Sequence, residues 1–161
     1  MEPTRPPAVA TDPPSSRLPS LLSVLGFAAA VLGLAALILS DNLVCRNPVV
    51  IAAQTAAVLL MIWARVTFGR RSFHAAATPT AGGLVTHGPY RFLRHPIYAA
   101  ILWFVWAGVL CHHTLLGLAG GAVITAGLAL RMVIEERLLR AAYPEYDGYA
   151  ARTRRVIPFV L

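Results

Sequence analysis

Four apolar runs divide the chain: Leu18–Leu39, Val49–Val66, Ile97–Leu110 and Leu115–Ile134. Crossing the hydrocarbon core of a bilayer takes about 20 mostly apolar residues in helical form. The first, second and fourth runs meet or approach that length. The third is shorter, and it crosses only if Arg94-His95-Pro96 also lies at membrane depth, buried against protein. Cys111-His112-His113-Thr114 reads as a tight turn, so the last two runs form an antiparallel helical hairpin. Gly108, Gly117, Gly120, Gly121 and Gly127 permit close approach of its two backbones. The pattern predicts an all-α integral membrane protein with about four transmembrane helices. A disordered tail covers residues 1–17, two N-terminal spans fall within 18–66, and a core covers 67–161.

The polar stretches add detail. Phe68–Gly83 reads as a connecting loop, punctuated by Thr78-Pro79-Thr80 and Gly82-Gly83. Pro89 and Pro96 bracket Tyr90–His95, which has room for one to two helical turns in the membrane interface. Tyr90 and Phe92 suit headgroup depth. The last span continues as helix from Glu135 to Ala142 and ends at Tyr143-Pro144, because the residue before proline disfavours helix. Glu145–Arg155 reads as a second short amphipathic helix, stopped by Pro158.

Composition narrows the class. The chain of 161 residues is 57% hydrophobic and only 13% charged, with a mean hydropathy of +0.64. A soluble domain rarely runs so apolar. All 14 basic residues are arginine, and the net charge is +7. They flank apolar runs, which points to membrane topology and anionic headgroups rather than to nucleic acid. The first run is longer than a signal-peptide core and no clear small-residue cleavage site ends it, so it reads as a retained span. With four spans, thirteen arginines fall on one side and only Arg46 on the other. The positive-inside rule makes the richer side cytoplasmic, as in a bacterial inner membrane. Cys45 and Cys111 form no CxxC, and no disulfide framework or thiol metal site follows from them; whether they pair stays open.

The polar chemistry gathers at the cytoplasmic ends. Arg94-His95-Pro96 offers a fixed cation, an imidazole and a helix start whose unpaired amides favour an anionic group. Arg131 and Glu135 are four apart and share a helix face. They form either an ion pair at the end of a span or a working pair, with Arg131 holding a carboxylate or phosphate and Glu135 facing a cofactor. His87 either lines a site or is solvated. His112 and His113 are adjacent, with no third metal ligand in view.

Taken in order, Leu84-Val85-Thr86-x-Gly88-x-Tyr90-x-x-x-Arg94-His95-Pro96-x-Tyr98, a hairpin, Glu135-Glu136, Glu145-Tyr146-x-x-Tyr149 and Val156-x-Pro158 resemble the isoprenylcysteine carboxyl methyltransferase family, within a wider group that includes phospholipid N-methyltransferases. The resemblance covers about Phe68 to Val160. It implies a cytoplasmic C-terminal pocket for S-adenosylmethionine, contacted by Leu84, Val85, Tyr90, His95, Pro96 and Tyr98, and by Glu135 or Glu136. It places Arg131 near the acceptor's carboxylate, with Arg94 as a second substrate-binding cation and no metal. The implied acceptor is a lipophilic or lipid-modified molecule delivered by the membrane. Amine or phospholipid N-methylation is the alternative. Membrane sterol reductases share Arg-His-Pro-x-Tyr and use NADPH, but they typically carry Asn where this chain has Ile97, and a Trp where it has Tyr146.

The arginine distribution predicts that both termini are cytoplasmic. Reporter fusions at Ser15 and after Leu161 should then give the same cytoplasmic signal. A periplasmic signal from the C-terminal fusion would put the pocket on the side that lacks nucleotide-like cofactors.

Overall fold

The computed structural model describes residues 17–69 and 83–157. Five α-helices run through them: α1 (Arg17–Leu39), α2 (Pro48–Phe68), α3 (Pro96–His112), α4 (Leu115–Ala142) and α5 (Tyr146–Arg152). A single 3-10 turn, Gly88–Arg91, precedes α3. Three helices are long and apolar enough to cross a membrane: Pro19–Leu39, Pro48–Phe68 and Leu115–Ala142. α3 is apolar but has 17 residues, a length of ~26 Å at 1.5 Å per residue, short of a hydrocarbon core of about 30 Å. The expected loop from Arg70 to Gly82, with His74, lies outside the described residues. So do the tail before Arg17, and Pro158.

Local chemistry sets the helix ends. Pro48 and Pro96 occupy first-turn positions of α2 and α3, where a missing N–H costs nothing. Asn47 Oδ1 accepts from the Val49 amide at 2.9 Å, and Thr114 Oγ1 accepts from the Gly117 amide at 2.9 Å. His113 takes a left-handed conformation (φ 53°) and closes α3, its amide donating to Val109 O at 3.0 Å. Tyr143, extended before Pro144, ends α4 as expected. Two expected helices are shorter than the sequence indicated. Tyr90–His95 yields only the 3-10 turn, and the tail helix stops at Arg152 instead of Arg155. In both places the backbone is diverted into one pairing: Leu93 bridges Arg154 in parallel, with Arg154 N donating to Phe92 O at 3.0 Å and His95 N to Arg155 O at 3.1 Å.

α3 and α4 form the expected hairpin; Tyr98 meets Arg131, Trp106 meets Thr125, and Val109 meets Gly121. The glycines, however, do not mainly serve it. α4 packs most extensively on α1, and α3 on α2. A side chain at Gly127 would strike the carbonyl of Gly26, and one at Gly120 would meet Leu37. Gly108 faces the Leu43 carbonyl, and Gly117 faces Asn42. Of the five, Gly121 meets α3, through Trp106 and Val109. In a membrane lipid competes with helix for apolar contact, so close backbone approach through small residues holds helices together. Polar bonds supplement this: buried Gln54 donates to Leu43 O at 2.8 Å and to Phe104 O at 3.2 Å.

Cys45 and Cys111 are joined by a disulfide, with Cα atoms 6.3 Å apart. It staples the α1–α2 connection to the last turn of α3, at the end of the bundle opposite Arg94, Arg131 and Glu135.

The α1–α4 seam yields a stability test. Gly127→Val forces α1 away from α4 and should cost about 1–3 kcal/mol, an overpacking penalty. Gly148, with open space around its Cα, should tolerate alanine within about 0.5 kcal/mol. Thermal unfolding in detergent compares the two; equal melting temperatures would mean the seam does not support the bundle.

Candidate active site

One cavity of about 420 Å³ gathers most of the residues singled out in the sequence. Leu84, Val85, Tyr90, Arg94, His95, Pro96, Tyr98, Arg131 and Glu135 all line it. Its α4 wall is a stripe at helical spacing: Ile124, Leu128, Arg131, Glu135, Leu138 and Leu139. Arg131 marks a boundary in that stripe. Toward the α3–α4 turn the lining is apolar, with Ile124 and Leu128 facing Ile101 and, from α1, Phe27, Ala30, Val31 and Leu34. Toward the α5 end it is polar and aromatic, with Glu135, His95, Tyr90, Tyr143, Tyr146 and Tyr149.

A chain of hydrogen bonds crosses the boundary. Arg131 Nε donates to the Tyr98 hydroxyl at 2.6 Å, and that hydroxyl donates to Glu135 Oε2 at 2.9 Å. Arg131 and Glu135 are therefore linked through Tyr98. The Arg131 guanidinium also sits 5.4 Å from the centre of the Phe27 ring. The His95 ring stacks on Tyr98, with centroids 5.4 Å apart and planes 18° from parallel.

Glu136 points elsewhere. It is 1% exposed and does not line the cavity. Arg155 grips both of its oxygens, Nε to Oε1 and Nη2 to Oε2, each at 3.0 Å. Arg94 Nε donates to Oε1 at 3.2 Å, His95 Nε2 lies 3.4 Å from the same oxygen, and Arg140 Nη2 is 3.5 Å from Oε2. Arg94 also donates to Thr153 O at 2.7 Å and to Ala150 O. Both Arg94 and Glu136 are thus committed to holding the tail against the segment before α3. The carboxylate contact raises the Arg155 guanidinium's affinity for its proton.

Tyr149 donates to the Tyr90 carbonyl at 2.8 Å and so fixes the 3-10 turn to α5. Tyr146 is 1% exposed, yet its buried hydroxyl has no hydrogen-bond partner among the described residues. A buried orphan hydroxyl on a cavity wall marks a place for a polar ligand atom. Burial pushes Tyr146 up to about 12, and it also raises Tyr90 and Tyr149. All three stay neutral hydroxyls near pH 7, as donors and ring surfaces rather than bases.

His87 is exposed and does not line the cavity. His112 lies 3.0 Å from the Val44 carbonyl, and no metal-binding cluster occurs among the described residues. The sequence pattern did not reveal the α1 wall, because Phe27, Ala30, Val31 and Leu34 look like any other residues of an apolar span. Tyr146 and Arg155 were visible only as parts of a tail, though the Glu145-Tyr146-x-x-Tyr149 spacing flagged the first.

Fold and site together define a helical protein with three helices long and apolar enough to cross a membrane, and with one cavity whose polar and apolar halves meet at a buried arginine. A family model described as phospholipid methyltransferase matches residues 47–146, and the chain belongs to that family. It is 35% identical over 79 residues to a probable protein-S-isoprenylcysteine O-methyltransferase of Oryza sativa subsp. indica, covering 48% of this chain and 41% of that protein. It is 36% identical over 80 residues to protein-S-isoprenylcysteine O-methyltransferase A of Arabidopsis thaliana, covering 48% and 41%. It is also 34% identical over 89 residues to the cobalt-zinc-cadmium resistance protein CzcN of Cupriavidus metallidurans, covering 47% and 35%. The matches span about two fifths of the length of these curated relatives.

The Glu136 cluster predicts a stability split between adjacent glutamates. Glu136→Gln leaves several cations around a neutral group and should cost about 3–5 kcal/mol, the usual penalty for breaking a buried ion cluster. Glu135→Gln keeps an amide oxygen that can accept from Tyr98 and should cost no more than about 1 kcal/mol. Chemical denaturation of the two variants should separate them; equal losses would contradict the structural role of Glu136.

Proposed function

We propose that this protein transfers a methyl group from S-adenosylmethionine to a carboxylate carried on a lipophilic chain. The observation that carries this reading is the single cavity in which a polar half and an apolar half meet at Arg131. Membership of a methyltransferase family supports the cofactor, and the relatives named as isoprenylcysteine O-methyltransferases support the acceptor class.

The residues present fit the cofactor. The polar half offers a carboxylate, Glu135, for a cationic or hydroxyl group, and the unpartnered Tyr146 hydroxyl for a further polar atom. The Tyr90 and Tyr98 rings suit a cationic sulfur by cation–π attraction. Leu84, Val85, His95 and Pro96 complete this half. About 420 Å³ lies within the range of small-molecule pockets. When bound, S-adenosylmethionine supplies a methyl group on a positively charged sulfur, which departs as a neutral thioether.

The chain's own residues then have three tasks. Arg131 holds the acceptor carboxylate by a charge-assisted contact. The Tyr98 hydroxyl keeps the guanidinium and Glu135 in fixed register. The apolar half, with Phe27 and Leu34 from α1, takes the acceptor's chain and excludes water. A carboxylic acid of pKa about 4 is already ionised at neutral pH, so no general base is required. Rate comes from desolvation and alignment. Glu136 and Arg94 act here as anchors of the wall, and Glu135 rather than Glu136 as the cofactor contact.

We place the site in the cytoplasm of a bacterial cell, with α3 as a fourth, shorter crossing. The thirteen-to-one split of arginines that four spans give in the sequence supports this. So does the Cys45–Cys111 disulfide at the opposite end, since disulfides persist in oxidising compartments such as the periplasm.

Purified protein incubated with methyl-labelled S-adenosylmethionine and a membrane lipid extract should yield a base-labile methyl ester. A base-stable methylamine as the sole product would assign N-methylation instead. Arg131→Ala should lower turnover about ten- to a hundredfold while changing cofactor affinity little, the scale of one lost charge-assisted contact of roughly 1.5–3 kcal/mol. Glu135→Gln should weaken S-adenosylhomocysteine binding, measured by calorimetry. Wild-type turnover in an Arg131→Ala, Glu135→Gln double variant would remove both assignments.

A further inference from the structure

A second cleft, of about 710 Å³, lies on the other side of the 3-10 turn and shares no lining residue with the cavity above. Its α2 wall is one helical face, Ala56, Leu59, Leu60 and Trp63, and Trp103 of α3 stands opposite. Trp63 and Trp103 are both exposed, so this apolar floor faces outward. Three guanidiniums rim it: Arg91 from the 3-10 turn, Arg152 from the end of α5 and Arg154 just beyond. No carboxylate lines the cleft. None of the three arginines has an ion-pair partner among the described residues; Arg91 lies over the Phe92 ring and Arg152 donates to the Gly148 carbonyl.

We infer that this cleft is a binding site for an anionic glycerophospholipid, with its phosphate among Arg91, Arg152 and Arg154 and an acyl chain along Trp63 and Trp103. Charge complementarity selects the occupant. Three uncompensated cations above an outward-facing apolar floor match a molecule that is anionic at one end and apolar at the other, and a zwitterionic lipid offers no net charge to them. The site lies next to the cavity through the turn itself: Tyr90 lines the cavity, while Pro89, Arg91 and Phe92 line the cleft. A lipid held here would brace the wall that carries Tyr90. The inference does not depend on the methyl-transfer reading.

The two cleft tryptophans provide a direct readout. The full chain is reconstituted into equimolar phosphatidylglycerol and phosphatidylcholine, with bromine on the chains of one lipid or the other. Surface charge is then identical in both preparations, and bromine quenches the fluorescence of nearby tryptophan. Brominated phosphatidylglycerol should quench more strongly than brominated phosphatidylcholine. The difference should vanish in a Trp63→Phe, Trp103→Phe variant, which retains only Trp106, packed between α3 and α4 against Thr125. An Arg91→Gln, Arg154→Gln variant should lose roughly fivefold in relative affinity for each arginine removed. In the unmodified chain, raising ionic strength should shrink the preference. Equal quenching by the two lipids, or a preference indifferent to both salt and the arginine changes, would overturn the site.

Discussion

The Glu136 carboxylate is the constraint on which the site rests. Moving a carboxylate out of water costs several kcal/mol, and only close countercharges with good geometry offset that cost. Arg94, Arg140 and Arg155 provide them, and His95 Nε2 adds a polar contact, from three separate stretches of chain. Satisfying one buried charge therefore closes the tail onto the segment that opens α3. The short Leu93–Arg154 pairing and the bonds from Arg94 to Ala150 and Thr153 follow the same closure. With the tail held there, Tyr146 and Tyr149 become cavity walls instead of exposed residues.

The cavity itself reflects how the helices divide their contacts. α4 leans on α1 through Gly26, Gly33, Gly120 and Gly127, and α3 leans on α2 near Gln54 and Gly108. Between the two pairs α3 and α4 meet less extensively, and the lining residues of the cavity come from both sides of that space. Small residues thus do two things. They replace the hydrophobic driving force that lipid removes, and they draw α1 close enough for Phe27, Ala30, Val31 and Leu34 to serve as a wall.

The 3-10 turn divides two environments. Its fixed geometry, with Pro89 in the first turn and Gly88 at φ 58° against Thr67, sends Tyr90 inward and leaves Arg91 and Phe92 outside. One face contributes to the polar half of the cavity, and the other to an arginine-rimmed apolar cleft. A chain this short places both within a few residues because consecutive side chains in a tight turn point in different directions.

Much of this was legible in the amino-acid sequence. Apolar runs near the length a bilayer demands, Pro96 at a helix start, Tyr143-Pro144 at a helix end and the spacing from Leu84 to Tyr98 are local features, and local physics decides them. The sequence also brought Arg131 and Glu135 onto one face, since they are four apart on a helix. It did not distinguish Glu135 from Glu136. Neighbours on a helix point about 100° apart, and only the arrival of Arg94 and Arg155 shows which one is buried. Nor did it assign the glycines to α1, select Phe27 and Leu34 as walls, or pair Cys45 with Cys111. Those outcomes depend on which helix lies beside which, and an apolar stripe carries no record of its partner when lipid and protein are equally welcome.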